Sequence, residues 1–311
     1  MLVVGLEKAF SGLKPLSRGQ RRLKDALLSE DYEVVGVFGP TGTGKSLFSL
    51  LYGLEAVARG KYKRLVVSRP VVDVVSGREY TVADIGELYE QMASSYLRDI
   101  VTGFLDWDDV SPLIAKGMVA SADTHYLRGR TFDDSVIVLD DAQSVPPESV
   151  VEVMMRIGRN SRLIVAGDPV FQRTTQGSDA SVLVREVLVG EERAEVVDLG
   201  LKDIVRPGAR RGIRLLLETR MRRRGLGEAE RSVLEAARIY APDADVITVA
   251  EFVEEKKRYG VEAEHVPDAL VVVKEGSMGR LVGRGGERIA RMEEDTGLRI
   301  RGMELTLDFT G

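Results

Sequence analysis

The stretch EVVGVFGPTGTGKSLFSLLYGLEAVARG, residues 33–60, decides the fold. A β-branched apolar run at 33–38 leads straight into a glycine-rich loop, and the loop opens a helical pattern. Gly39 to Ser46 fits G-x-x-x-x-G-K-[ST] in full, with the strand before it and the helix after it that this motif demands. Each residue type answers to the chemistry of a bound triphosphate. Gly39, Gly42 and Gly44, with Pro40, Thr41 and Thr43 between them, let backbone N–H groups turn inward around phosphates at a helix N-terminus. Lys45 is placed to neutralise the β- and γ-phosphates, and the Ser46 hydroxyl to meet Mg²⁺.

Working outward, RLVVS (64–68), GMVAS (117–121), SVIVLD (135–140), SRLIVAG (161–167) and AEVVDL (194–199) alternate with longer helical patterns. That rhythm predicts a parallel sheet with helical crossovers, and runs apolar nearly throughout predict strands covered on both faces. A phosphate loop needs a carboxylate on a neighbouring strand, and SVIVLDDAQ supplies one. Asp140 is expected to reach Mg²⁺ through water and Asp141 to act as general base, with Gln143 near the γ-phosphate or a coupling element. The same aspartates also read as caps of a helix beginning near Pro146. The next strand ends in AGDPVFQ, placing Asp168 and Gln172 where a γ-phosphate sensor belongs. Upstream, SRGQ (17–20) fits a capping box, and Gln20 reads equally as a residue that meets the adenine edge.

Composition bounds the rest. A chain of 311 residues with 44% hydrophobic content can bury a sizeable core and suggests two domains, or one plus an appendage. No apolar run approaches the roughly 18 residues a membrane span needs, and MLVVGLEKAF is too quickly charged for a signal peptide, so a cytoplasmic protein is expected. With no cysteine and only His125 and His265, metal should sit on oxygens. The net charge of −5 leaves local clustering to decide on nucleic acid. RPGARRGIRLLLETRMRRRG (206–225) carries eight arginines and one acid, and reads equally as an RNA contact or a subunit interface. PDAD (242–245) is the expected domain boundary.

Beyond it the pattern predicts a helix over 250–260, strands at VEAEHV (261–266) and ALVVVKEG (269–276), a short helix, Gly283-Arg284-Gly285-Gly286, a longer helix and a strand in LRIRGMELTLDF (298–309). This second glycine turn has no Lys-Ser/Thr after it and no acidic strand partner, so it is no second triphosphate site. The order resembles a KH domain of the type with an extra strand and helix before the core. The resemblance implies that Gly283, Gly285 and Gly286, with Arg284 and Arg288, clamp the backbone of RNA or single-stranded DNA. Seven Lys/Arg against ten Asp/Glu over 262–311 predict local and modest affinity.

GPTGTGKS, YLRGRTFDDSVIVLDDAQ (126–143), RIGRNSRLIVAGD (156–168) and KDIVRP (202–207), in this order and spacing, resemble the PhoH family of P-loop ATPases over about residues 15 to 210. That family is similar to the motor core of superfamily 1 helicases, and RGRTF is the most specific piece. The resemblance implies a RecA-like α/β core with a parallel sheet, Mg-ATP hydrolysis, ring assembly such as a hexamer, and an association with RNA metabolism. Three departures stand out. Asp141 replaces the family's usual glutamate and is one methylene shorter; Gln172 follows Asp168 by four residues rather than three; and the segment after Ser68-Arg69-Pro70 reads VVDVVSGREYTVADIGELYEQM. Arg206 matches the family's arginine and is expected either as an arginine finger delivered in trans or in an intramolecular salt bridge. The expected organisation is an ATPase domain (1–205), an arginine-rich helical extension (206–245) and a small α+β KH domain (246–311). The expected function is an oligomeric, RNA-binding ATPase that remodels or translocates RNA. The rival is a slowly hydrolysing, nucleotide-switched adaptor that delivers RNA to a partner such as a nuclease.

Overall fold

The computed structural model describes residues 5–307 apart from 74, 75, 77, 127, 128, 130, 172–179, 262 and 264. It forms two compact units divided at Arg210/Arg211. In the first, β1 (Val34–Phe38), β2 (Arg64–Ser68), β3 (Val71–Val72), β4 (Glu79–Tyr80), β5 (Val119–Ser121), β6 (Ser135–Leu139), β7 (Arg162–Gly167) and β8 (Ala194–Asp198) follow in chain order. Six of these make one sheet, ordered β5-β2-β6-β7-β1-β8, and β3 and β4 form a separate two-residue hairpin. Every pair in the large sheet is parallel.

The apolar runs explain this sheet. Alternate side chains point to opposite faces, so a strand apolar throughout feeds two cores at once. Val35, Val37, Val136, Val138, Ile164 and Ala166 enter one core with Phe10, Leu23, Phe48 and Leu51. Phe38, Ile137, Leu139, Leu163 and Val165 enter the other with Val150, Val153 and Leu188. Helices Arg18–Leu28 and Lys45–Ala58 thus supply one side, and Pro147–Met154 and Ala180–Leu188 the opposite one. The acidic strand β6 is not the immediate neighbour of the loop strand β1 that the sequence suggests; β7 lies between them. Both carboxyl ends still open on the same edge, because all three strands run in parallel.

One buried cation fastens the first face. Arg162 donates from Nη1 to Leu27 O at 2.6 Å and Tyr52 Oη at 2.9 Å, and from Nη2 to Ser29 O at 2.5 Å. These bonds satisfy the carbonyls where helix Arg18–Leu28 ends, which otherwise lack partners.

In the second unit, β9 (Val246–Glu251), β10 (Ala269–Val273) and β11 (Ile300–Glu304) form a sheet ordered β11-β10-β9. β10 pairs parallel with β11 and antiparallel with β9. Helix Glu228–Tyr240 sends Val233, Ala236 and Ala237 into one core with Val249, Val271, Leu281, Met292 and Ile300. The expected helix over 250–260 is corrected: Ala250 and Glu251 belong to β9, and the helix is only Val253–Arg258. Ladder pairing of Ala250 with Leu270 and of Glu251 with Ala269 outweighs the helical pattern read there. No strand forms at 261–266 among the described residues, where Lys256 Nζ instead holds Val266 O at 3.0 Å and Asp268 Oδ1 at 2.5 Å. Helix Glu228–Tyr240, which precedes PDAD (242–245), packs on the sheet that follows it within this compact unit.

Replacing Arg162 by Met is expected to destabilise the chain by about 2–4 kcal/mol in urea unfolding, because one buried and one half-buried carbonyl lose their donor. A variant within about 0.5 kcal/mol of the parent contradicts this role for Arg162.

Candidate nucleotide and nucleic-acid sites

The loop after β1 turns on three glycines in backbone regions that side chains rarely enter: Gly39 (φ 155), Gly42 (φ 81) and Gly44 (φ 93). Space is as restrictive as conformation, since a Cβ on Gly42 would lie 2.3 Å from Ala209 Cβ. Lys45 Nζ curls back onto its own loop, donating to Gly39 O at 2.6 Å and Pro40 O at 3.0 Å. Burial pulls the Lys45 ammonium below its ordinary range, opposed by the carboxylates of Asp168, Asp140 and Asp141. Thr43 Oγ1 closes the loop by donating to Pro40 O at 2.8 Å.

Asp140 follows β6 and is buried. It accepts from Tyr96 Oη, its Oδ1 accepts from Asp141 N at 3.0 Å, and the nearby Ser46 hydroxyl favours its charged form. Burial first, and the neighbouring Asp141 second, push its carboxyl up. Asp141 sits at φ 56. Its Oδ2 meets Arg69 Nε at 2.7 Å and its Oδ1 accepts from Gln143 Nε2 at 3.1 Å. Gln143 Oε1 in turn accepts from Asp168 N at 2.9 Å, so this glutamine joins the ends of β6 and β7. Asp168 Oδ1 accepts from Val170 N and Phe171 N, while Oδ2 is buried with no hydrogen-bond partner among the described residues. Gln172 lies outside the described residues, as do Arg128 and Arg130 of the RGRTF segment.

These residues fit a nucleoside triphosphate with an oxygen-ligated cation. The Lys45 charge, the loop N–H groups and the orphaned Asp168 oxygen face one edge of the sheet. Ser46 would supply one hard oxygen ligand and Asp140 would reach the cation through water, leaving the remaining magnesium shell to phosphate and water.

Two expectations are refined at this site. Gln20 is buried; its Nε2 donates to Thr43 O at 2.9 Å and its Oε1 accepts from Leu16 N at 2.8 Å. Its amide therefore braces the loop from behind. Ser17 Oγ caps Gln20 N at 3.1 Å, but the returning bond of a capping box goes one residue too far, to Leu16. Arg206 contacts its own loop, with Nη2 3.1 Å from the Thr41 hydroxyl oxygen. It is held there because Val205 N donates to Gly42 O at 3.0 Å and Asp203 accepts from Gly19 N and Gly200 N.

In the second unit, Gly283 (φ 74), Gly285 (φ 59) and Gly286 (φ 85) form the turn between helices Met278–Val282 and Glu287–Thr296. Arg284 is exposed at its tip. Arg288 is engaged instead: its Nη1 donates to Asp243 Oδ1 and to Arg280 O, each at 2.5 Å. A Cβ on Gly283 would lie 2.7 Å from Arg288 Cγ, so the first glycine makes room for this brace. The arginine run is also partly spent. Arg222 pairs with Glu218 and Asp245, and Arg224 with Glu230, whereas Arg211, Arg214 and Arg223 are exposed.

A parallel α/β unit with a phosphate loop and acidic strand ends is joined in one chain to a three-stranded α+β unit with a glycine clamp. The family model of PhoH-like proteins matches residues 12–218, and that of the KH domain matches 245–307. The chain belongs to the PhoH-like protein family. It is 30% identical over 192 residues to the PhoH-like protein of Bacillus subtilis (strain 168), covering 60% of this chain and 58% of that protein. It is 28% identical over 206 residues to the PhoH-like protein of Mycobacterium tuberculosis (strain ATCC 25618 / H37Rv), covering 65% and 56%. Protein PhoH2 of Mycolicibacterium smegmatis is 32% identical over 170 residues, covering 54% and 38%. The chain thus spans little more than half the length of the first two relatives. Among solved structures, the DUF1998 helicase MrfA bound to DNA matches at TM-score 0.37 and 14% identity, over 63% of this chain and 30% of that one. Domain III of the Thermotoga maritima replication initiation protein DnaA matches at TM-score 0.29 and 13% identity, over 85% and 90%. Likenesses of that degree are too distant to bear on function.

Gly283→Ala is expected to lower the affinity of the chain for a single-stranded RNA oligonucleotide by about tenfold in a fluorescence-anisotropy titration, as the added methyl displaces Arg288 and strains the turn. Unchanged affinity would remove the turn from the RNA contact.

Proposed function

We propose that this chain is a magnesium-dependent ATPase that binds RNA and couples ATP turnover to RNA remodelling or translocation. The observation that carries the reading is the meeting of Lys45, Ser46, Asp140, Asp141 and Asp168 at one sheet edge. Loop N–H groups and Lys45 hold the phosphates, and Ser46 and Asp140 would hold magnesium, which supplies positive charge against the β- and γ-oxygens. Asp141 orients the attacking water and takes its proton. Gln143 bridges Asp141 and Asp168 N, so a change at the γ-phosphate reaches both strand ends together. Arg206, beside Thr41, adds a cation in cis. The glycine turn and Arg284 take the RNA backbone in the second unit. Ring assembly and a cytoplasmic setting belong to the same reading; among the described residues, no helix is long and apolar enough to cross a membrane.

One observation favours a second reading, a nucleotide-switched adaptor that turns over slowly and hands RNA to a partner such as a nuclease. Both Asp141 oxygens are already engaged, one by Arg69 and one by Gln143.

Steady-state ATP hydrolysis with and without single-stranded RNA separates the two. Stimulation by RNA of about tenfold or more supports a motor, and turnover indifferent to RNA supports the adaptor. Lys45→Ala is expected to abolish hydrolysis while RNA binding persists. Replacing Arg284 and Gly285 together by Asp is expected to do the reverse. A change in either place that removes both activities contradicts the two-site reading.

A further inference from the structure

Arg69 stands at the carboxyl end of β2, just before the hairpin of β3 and β4. Its Nε is 2.7 Å from Asp141 Oδ2, and its guanidinium lies 4.1 Å over the Tyr96 ring. Burial works against the Arg69 charge, but Asp141, together with Tyr96 and Asp140, holds the guanidinium pKa up. Tyr96 comes from helix Glu87–Val101, and its hydroxyl donates to Asp140. One aromatic side chain therefore seats the arginine on its face while its hydroxyl meets the metal-type carboxylate.

Asp141 is held from both sides. Gln143 takes the oxygen that Arg69 leaves, and the backbone sits at φ 56, a left-handed conformation unfavourable for a non-glycine residue. A base that must align and deprotonate a water has here one oxygen committed to a guanidinium and the other to an amide. We propose that Arg69 is an inhibitory restraint on Asp141, seated by the Tyr96 ring, and that phosphodiester groups of bound RNA release it by taking the guanidinium. The inference rests on the reading of Asp141 as the base.

The strength of the contact suits a restraint that must open. The Arg69 and Asp141 side chains are 41% and 30% exposed, so solvent screens the pair, and the ring adds only a modest further attraction. A phosphodiester presents two oxygens to the same planar fork, and charge-assisted bidentate contacts of that kind compete well with a single Nε contact. Freed from Arg69, Asp141 keeps the Gln143 bond and, among the described residues, has an oxygen open to water.

The test measures kcat and KM for ATP in Arg69→Gln, Arg69→Lys, Asp141→Asn and the parent, each with and without single-stranded poly(U). Arg69→Gln is expected to raise the RNA-free kcat by roughly fivefold with KM within about twofold, and to lose most of the stimulation by poly(U). Arg69→Lys, which keeps the charge but not the fork, falls between Gln and parent. A purely structural role for Arg69 can lower kcat but does not raise it at constant KM. An RNA-free kcat equal to or below the parent's, with binding of a fluorescent ATP analogue retained, overturns the restraint. If Arg69→Gln fails to bind that analogue, Arg69→Lys alone decides, and an RNA-free kcat at or below the parent's overturns it in the same way. Asp141→Asn reports on the underlying assignment: hydrolysis retained in that variant shows that Asp141 is not the base, whatever Arg69 does.

Discussion

The carboxylate of Asp140 is taken out of water at the end of β6, and the candidate site is arranged around that cost. A buried ionised carboxylate is tolerated only where hydrogen bonds and opposite charge replace its solvent. Asp140 draws these from separate parts of the chain: Ser46 at the start of the loop helix, Tyr96 from helix Glu87–Val101, the Asp141 N–H, and the Lys45 charge. Each partner sits where it does because the parallel sheet brings strand ends to one edge. The same requirement explains why Lys45 folds onto Gly39 and Pro40 instead of reaching into solvent. A charge that nucleotide phosphates would engage is meanwhile satisfied by loop carbonyls.

The second unit handles charge differently. What holds its glycine turn is Arg288, braced between Asp243 and the Arg280 carbonyl. The exposed cation is Arg284, one residue past the first glycine. A turn that offers close backbone approach and an exposed charge suits a polynucleotide strand, whose charge is spread, better than a triphosphate, whose charge is concentrated.

Much of this was legible in the sequence, and the reasons differ by element. The six large-sheet strands were readable to within about two residues because short runs apolar nearly throughout leave few alternatives. Their order was not readable, since nothing local tells β6 that β7 will come between it and β1. At 250–260 a helical pattern lost to a ladder whose partner, β10, lies about twenty residues further on. Lys45, Ser46 and Asp140 stand out in the sequence by motif, and the structure brings them to one sheet edge. Arg69 and Tyr96 were missed as site residues. Arg69 had only its place after β2 to recommend it, and Tyr96 comes from a segment with no motif at all. Gln20 reads equally as a helix cap and as an adenine contact, and Arg288 enters through the KH resemblance; the structure engages the Gln20 amide with Leu16 and Thr43 and the Arg288 guanidinium with Asp243.

Two chemically different phosphate sites in one chain, one for a triphosphate and one for a polynucleotide, are the centre of the proposed function. Titration of a labelled single-stranded RNA into the intact protein, with and without a saturating non-hydrolysable ATP analogue and Mg²⁺, tests this most directly. RNA is expected to bind to saturation with the analogue present, so that both ligands occupy the chain together. Strict competition, with the analogue displacing RNA completely and RNA displacing the analogue, would mean a single shared site and would contradict the two-site reading.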